Sequence, residues 1–204
     1  MENLPEIEQP ESEGTSGADY NRDSILAFFW ETVKFVLIAL VIIVPIRYYL
    51  IQPFFVKGPS MESTFLNGDY VLIDEISYRF HPPKRGDVVI FRPPTDQSEF
   101  YIKRVIGLPG ETIQIKNSQV IIYNQQYPQG FRLDESTYLD RGQTTTGDLR
   151  IKVDDNEYFV LGDNRLHSSD SRYWGAVNRS LITGRVFLRA LPLSNFSTFS
   201  GITY

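Results

Sequence analysis

The sequence predicts a mostly β fold, an antiparallel sheet of barrel or sandwich type, carried behind one N-terminal membrane-spanning helix. Three observations predict it. The apolar run "SILAFFWETVKFVLIALVIIVPI" occupies residues 24–46. From Pro53 onward, short β-branched and aromatic runs follow one another, separated by turn residues. After residue 60 no stretch keeps the 3.6-residue period of a long helix.

Residues 1–23 come first. They hold seven acids (Glu2, Glu6, Glu8, Glu11, Glu13, Asp19, Asp23) against one base, Arg22. The whole chain carries −5, so the remainder is close to neutral. Pro5, Pro10, Gly14 and Gly17 interrupt this head, which reads as a disordered acidic tail. No basic field recruits nucleic acid. Cysteine is absent, which excludes a disulfide framework and a thiolate metal site.

The 23-residue run 24–46 reaches roughly 35 Å as a helix, enough to cross a bilayer core of about 30 Å. Glu31 and Lys34, three apart, can pair on one face. The segment ahead is acidic and no small-residue cleavage site follows, which argues against a removed signal peptide. Residues 24–50 therefore read as a retained anchor, with a buried core helix as the alternative. Charge gives no orientation, because Arg22 and Lys34 are balanced by Arg47 and Lys57.

The region 51–204 reads as one β-rich catalytic domain. Strand candidates are 70–74, 87–91, 100–106, 112–116, 119–123, 150–153, 157–161 and 184–191. Asn67-Gly68, Lys84-Arg85-Gly86, Pro93-Pro94, Leu108-Pro109-Gly110 and Asn117-Ser118 punctuate them. Between Tyr123 and Arg150 the chain turns polar, which points to a small inserted lobe around 117–150. Two histidines far apart make a zinc site improbable, and no cofactor motif is present.

Chemistry concentrates around "KGPSMESTFLNGDY", residues 57–70. Pro59 fixes its own φ and biases Gly58 toward extended geometry, so Ser60 is presented from a stiff corner. The G-x-S-x-G elbow is not met, since Glu62 holds its final position. A base is needed. His81 sits in the turn "FHPPK", and His167 sits in the polar loop "GDNRLHSSDSRYWG" near Asp163 and Asp170. Lys103, inside "FYIKRVI", is the other option. Alternation puts Tyr101, Lys103 and Val105 on one face and Ile102, Arg104 and Ile106 on the other. Either Lys103 points inward and loses hydration, which lowers its pKa, or it lies on the solvent face and Arg104 points in.

"GPSM", "GDVVIFRPP", "YIKRVIGLPGE" and "GDNRLHSSDSRYWG", in this order behind an anchor, resemble type I signal peptidase, a Ser-Lys serine protease family. The resemblance covers about residues 25–190. It implies a mostly antiparallel β catalytic fold that removes signal peptides from exported preproteins on the outer face of the membrane. By motif, Ser60 would be the nucleophile, Lys103 the general base, and the Ser60 N–H an oxyanion donor. Ser168 would orient the lysine, and Asp170 and Arg172 would form the structural pair of that loop. Phe54, Val56, Met61, Phe65, Tyr101 and Ile102 would line pockets for small residues at −1 and −3. The implied protein is a single-pass monomer with its N-terminus cytoplasmic, preproteins and lipid as partners, and neither cofactor, metal nor nucleic acid.

Three positions depart from the family pattern. Ser63-Thr64-Phe65 replaces Pro-Thr-Leu, Leu166-His167 replaces a more polar pair, and Gly58 stands where some members carry a serine whose hydroxyl helps bind the oxyanion. Two other readings compete: a self-cleaving repressor-type Ser-Lys peptidase, and a membrane-tethered β-domain that binds peptides without cutting them.

Overall fold

The computed structural model describes residues 17–45, 51–140, 142–202 and 204. The expected tail falls mostly outside this range. The chain divides into two units, an N-terminal helix and a β-rich remainder.

Helix α1 spans Gly17–Pro45. It begins seven residues before the expected start at Ser24, so Gly17–Asp23 belong to helix rather than tail. It ends at Pro45, and the rest of the expected anchor, 46–50, lies outside the described residues. Leu26–Val44 is long and apolar enough to span a bilayer core, and none of it is buried. The Lys34 ammonium lies 5.6 Å from the Trp30 ring centroid, a cation–π contact, in place of the expected pairing with Glu31.

The β-rich unit contains two antiparallel sheets. The larger is built from β1 (Ile51–Phe55), β2 (Tyr70–Asp74), β3 (Val88–Phe91), β4 (Tyr101–Gly107), β9 (Glu157–Leu161), β10 (Val177–Asn178), β11 (Ile182–Leu191) and β12 (Ser197–Thr198). Its order is β1-β2-β11-β3-β4-β9-β10, with β12 added on β11. Register shifts at Val186/Leu188 and Arg189/Leu191 bend β11, which curls the sheet without closing it. The smaller sheet has the order β7-β6-β5-β8, from β5 (Thr112–Lys116), β6 (Gln119–Tyr123), β7 (Phe131–Arg132) and β8 (Leu149–Lys152).

Pro53 hides β1 from a strand reading. The strand pairs with β2 alone, and an edge strand tolerates a residue without N–H. Two four-residue helices, α2 (Ser77–Phe80) and α3 (Ser171–Trp174), are too short to leave a periodic signal.

Strand β4 is covered on both faces. Ile102 joins the cluster of Val56, Met61, Phe65 and Ile90, whereas Val105 packs with Val89, Phe91 and Val160. Lys103 and Arg104 are each 3% exposed. The choice between one of them inside and the other in solvent therefore does not arise.

Candidate active site

The segment Val56–Asp69 closes on itself at the mouth of β2. Val56 N–H donates to Asp69 O (2.9 Å), and Gly68 N–H donates back to Val56 O (2.8 Å). Inside it the chain makes one tight turn. Glu62 N–H donates to Pro59 O (3.0 Å) and Phe65 N–H to Met61 O (2.7 Å). Asn164 N–H binds Ser60 O at 3.0 Å, which ties this turn to the loop after β9.

Gly58 does not take the expected extended conformation: its φ is +83°. The restriction imposed by a following proline rests in part on a clash with the Cβ of the preceding residue. Glycine lacks one and reaches positive φ freely. The Asn67 side chain holds it there, accepting from Gly58 N–H at 2.9 Å. A Cβ at Gly58 would meet no atom within 4 Å, so a substitution is strained by backbone alone. Gly58→Ala and Gly58→Ser should both be destabilised by about 1–2 kcal/mol, several degrees in Tm. A wild-type Tm for either variant would contradict this account of the position.

Lys103 Nζ lies 2.8 Å from Ser60 Oγ and donates to Ile102 O, also at 2.8 Å. The Tyr101 ring sits 5.3 Å away. Burial pushes the Lys103 ammonium down to about 8, against the opposing pull of the Asp170 and Asp163 carboxylates.

Those carboxylates are each held by an arginine. Arg104 reaches Asp163 through Nε (2.8 Å) and a terminal nitrogen (2.6 Å), and its other arm binds Gly86 O (2.8 Å). Asp163 also accepts from Thr64 Oγ1 at 2.6 Å, which fastens the Ser60 turn to β4. Arg172 Nε lies 2.8 Å from Asp170 Oδ1. Asp170 accepts in addition from Gly162 N–H (3.1 Å), and Arg172 donates to Arg165 O (2.7 Å). The loop 162–172 is thereby cross-braced.

Ser168 does not bond to Lys103. It is buried beside the Ser60 turn, and its Oγ has no partner among the described residues. Gly162 separates the two serines: a Cβ there would overlap both Ser168 Oγ and the Ser60 carbonyl. His81 and His167 are exposed, and neither contacts Ser60 or Lys103.

A groove of about 540 Å³ opens over Ser60 and Lys103. Phe54, Val56, Tyr101 and Ile102 line it as expected residues, between β1 and β4. Met61 and Phe65 do not. Both are fully buried beneath the turn, because the hydrogen bond from Phe65 N–H to Met61 O folds the two side chains to the same inner side. The bulk of Phe65 therefore does not narrow the groove. Phe55, Glu99 and Phe100 line it unforeseen. Phe100 meets Phe54 edge-on at 5.1 Å and lies under the Arg92 guanidinium at 4.3 Å.

Residues 29–191 match the family described as signal peptidase, peptidase S26. The chain belongs to this family. The S26 peptidase is accordingly a serine protease hydrolase. It is 33% identical over 184 residues to a probable signal peptidase I-1 of Synechocystis sp., covering 87% of this chain and 90% of that one. It is 35% identical over 167 residues to signal peptidase I P of Bacillus subtilis subsp. natto, covering 79% and 88%. A crystal structure of a signal peptidase I from Enterococcus faecalis V583 is 31% identical and covers 52% of the S26 peptidase and 97% of that chain, with a TM-score of 0.42.

Proposed function

We propose that this S26 peptidase is a membrane-anchored endopeptidase that removes N-terminal signal peptides from exported preproteins with a Ser60–Lys103 dyad. One observation carries the proposal: a buried lysine nitrogen lies 2.8 Å from the hydroxyl of Ser60. Proton transfer needs that reach, and a base works best when its pKa lies near the working pH. Desolvation supplies the second condition.

Ser60 Oγ attacks the scissile carbonyl while its proton passes to Lys103 Nζ. The new ammonium then gives that proton to the leaving amine, and an acyl-enzyme forms on Ser60. A water deprotonated by Lys103 releases the acyl group. The Ser60 N–H has no internal acceptor among the described residues, which supports its use toward the oxyanion. Asp170 with Arg172 keeps the 162–172 loop in place. Phe54, Val56, Tyr101 and Ile102 form the pockets for small residues at −1 and −3, and Met61 and Phe65 support the turn from below. Helix α1 supplies the anchor, with the N-terminus inside and the β-rich domain outside. A peptide-binding domain without chemistry gives no reason to bury an amine against a hydroxyl.

The test is cleavage, in detergent, of a preprotein bearing an Ala-x-Ala site. Wild type should cut at that site and Ser60→Ala should not; cleavage by Ser60→Ala would remove the proposal.

Ser168 has a distinct expectation. Its Oγ is free to accept from Lys103 as the lysine becomes charged in the reaction. Ser168→Ala deletes a buried oxygen with no present partner, so Tm should hold or rise while kcat falls about tenfold or more. His167→Ala should keep both. The reverse order of kcat effects would bring a histidine base back into consideration.

A further inference from the structure

Behind the Ser60 turn lies a set of contacts that the motifs do not include. After β11 the chain passes through a 3-10 turn, Leu193–Asn195, and returns along β11 as β12. Residues 192–202 lie beyond the span 29–191 that matches the family. Phe199 N–H donates to Phe187 O at 2.8 Å, and the Phe199 ring lies 4.5 Å from Phe65, the buried aromatic of the Ser60 turn.

Arg189 joins the two. Its guanidinium lies 5.8 Å from the Phe65 ring and 5.5 Å from the Phe199 ring. One terminal nitrogen donates to Thr64 O (3.0 Å) and to Asp69 Oδ2 (3.1 Å). Nε donates to Asn195 O (2.7 Å), and the second terminal nitrogen to Ser197 Oγ (3.1 Å). Thr64 is thus gripped twice. Its hydroxyl binds Asp163, and its carbonyl binds Arg189.

The turn needs such outside support. Ser63 sits at φ 62°, a left-handed conformation that a serine adopts only where its surroundings impose it. Only one of the four acceptors of Arg189, the Asp69 carboxylate, is charged. The forked guanidinium therefore works here as a clamp of fixed shape, and a lysine ammonium has no such shape.

We infer that Arg189, together with the returning segment 195–199, positions Ser60 for reaction by fixing the turn that carries it against Lys103. The inference rests on the reading of Ser60 as nucleophile. Arg189 and Phe199 are positioning residues, and they act through Thr64 and Phe65.

The test measures kcat, KM and Tm for the full chain in detergent on the same Ala-x-Ala preprotein. Arg189→Met should lower kcat about 10- to 100-fold with KM changed less than about threefold, because small misplacement of a reacting group costs rate rather than ground-state binding. Arg189→Lys should fall between Arg189→Met and wild type, and Phe199→Ala should lose kcat in the same direction. Val120→Ala, a cavity in the core of the smaller sheet, should lower Tm while leaving kcat near wild type. Wild-type kcat in both Arg189→Met and Phe199→Ala overturns the inference, as does an equal kcat loss in Val120→Ala. If Arg189→Met does not fold, Arg189→Lys and Phe199→Ala decide by the same criteria. Ser60→Ala is run alongside. Activity there removes the nucleophile itself, whereas an inactive Ser60→Ala with unaffected Arg189 and Phe199 variants removes only this inference.

Discussion

Lys103→Arg should be as inactive as Lys103→Ala. Arginine keeps the positive charge and much of the volume, but its guanidinium does not release a proton in a protein and cannot act as a base. Loss of a general base costs about 10²–10⁴ in rate, so both variants should fall to near background on the preprotein. Stability should separate variants that activity does not. The folded state binds the Lys103 proton only below about 8, whereas the unfolded chain binds it up to the ordinary lysine value of 10.5. Between these values the unfolded state holds more protons, so stability rises with pH across that window, and the penalty is fully present below it. The shift corresponds to roughly 3 kcal/mol. Lys103→Met, which fills the site without a charge, should therefore melt higher than wild type at neutral pH while remaining inactive. Lys103→Arg should melt lower than Lys103→Met, because it keeps a buried charge with no carboxylate bonded to it, as the protonated wild-type lysine does. Near-normal turnover in Lys103→Arg would end the Ser-Lys mechanism.

Gly162→Ala should abolish cleavage almost as completely. The new methyl would overlap the backbone carbonyl of Ser60 and the side chain of Ser168. A carbonyl that already accepts from Asn164 N–H at 3.0 Å cannot move without moving Ser60. Overpacking of this kind costs about 1–3 kcal/mol in stability, and a displacement of about 1 Å at the reacting group costs about 100-fold in rate. Gly110→Ala makes the comparison. Gly110 has φ +79° and open space around its Cβ position, so it should lose some Tm through backbone strain and keep its kcat. If Gly162→Ala and Gly110→Ala behave alike, close packing at Gly162 is not what holds the site.

Much of the sheet was legible because its strands are short β-branched runs bounded by turn residues, as in "TIQIK" and "QVIIY", which pair as β5 and β6. Strand β1 was not, since Pro53 masks an edge strand. Alternation along β4 separated Lys103 from Arg104 but not their burial. That depended on cover from two different clusters, which only the folded chain brings together. The family motifs singled out Ser60 and Lys103, and the fold brings their side chains into contact. Met61 and Phe65, expected at the pockets, lie buried beneath the turn, because closeness in sequence to Ser60 does not say which side of a tight turn a residue takes. The extended geometry expected at Gly58 failed for a related reason: the proline rule was applied to the one residue that escapes it. Gly162, Asp163 and Arg104 fall inside the motifs, but their contacts, like those of Arg189, join long stretches of chain, and nothing in the motifs says what each one touches.

The measurement that tests the dyad most directly is the pH dependence of kcat/KM for the wild-type chain on the Ala-x-Ala preprotein. In the free enzyme the charged groups that act on Lys103 are Asp163 and Asp170, with the Tyr101 ring and the Ser60 hydroxyl beside it. Only the neutral amine accepts the proton of Ser60. The account predicts a kcat/KM that rises about tenfold per pH unit in mildly acidic and neutral solution and levels off above a midpoint of about 8. A profile that is flat or falling from mildly acidic to mildly alkaline pH would contradict it.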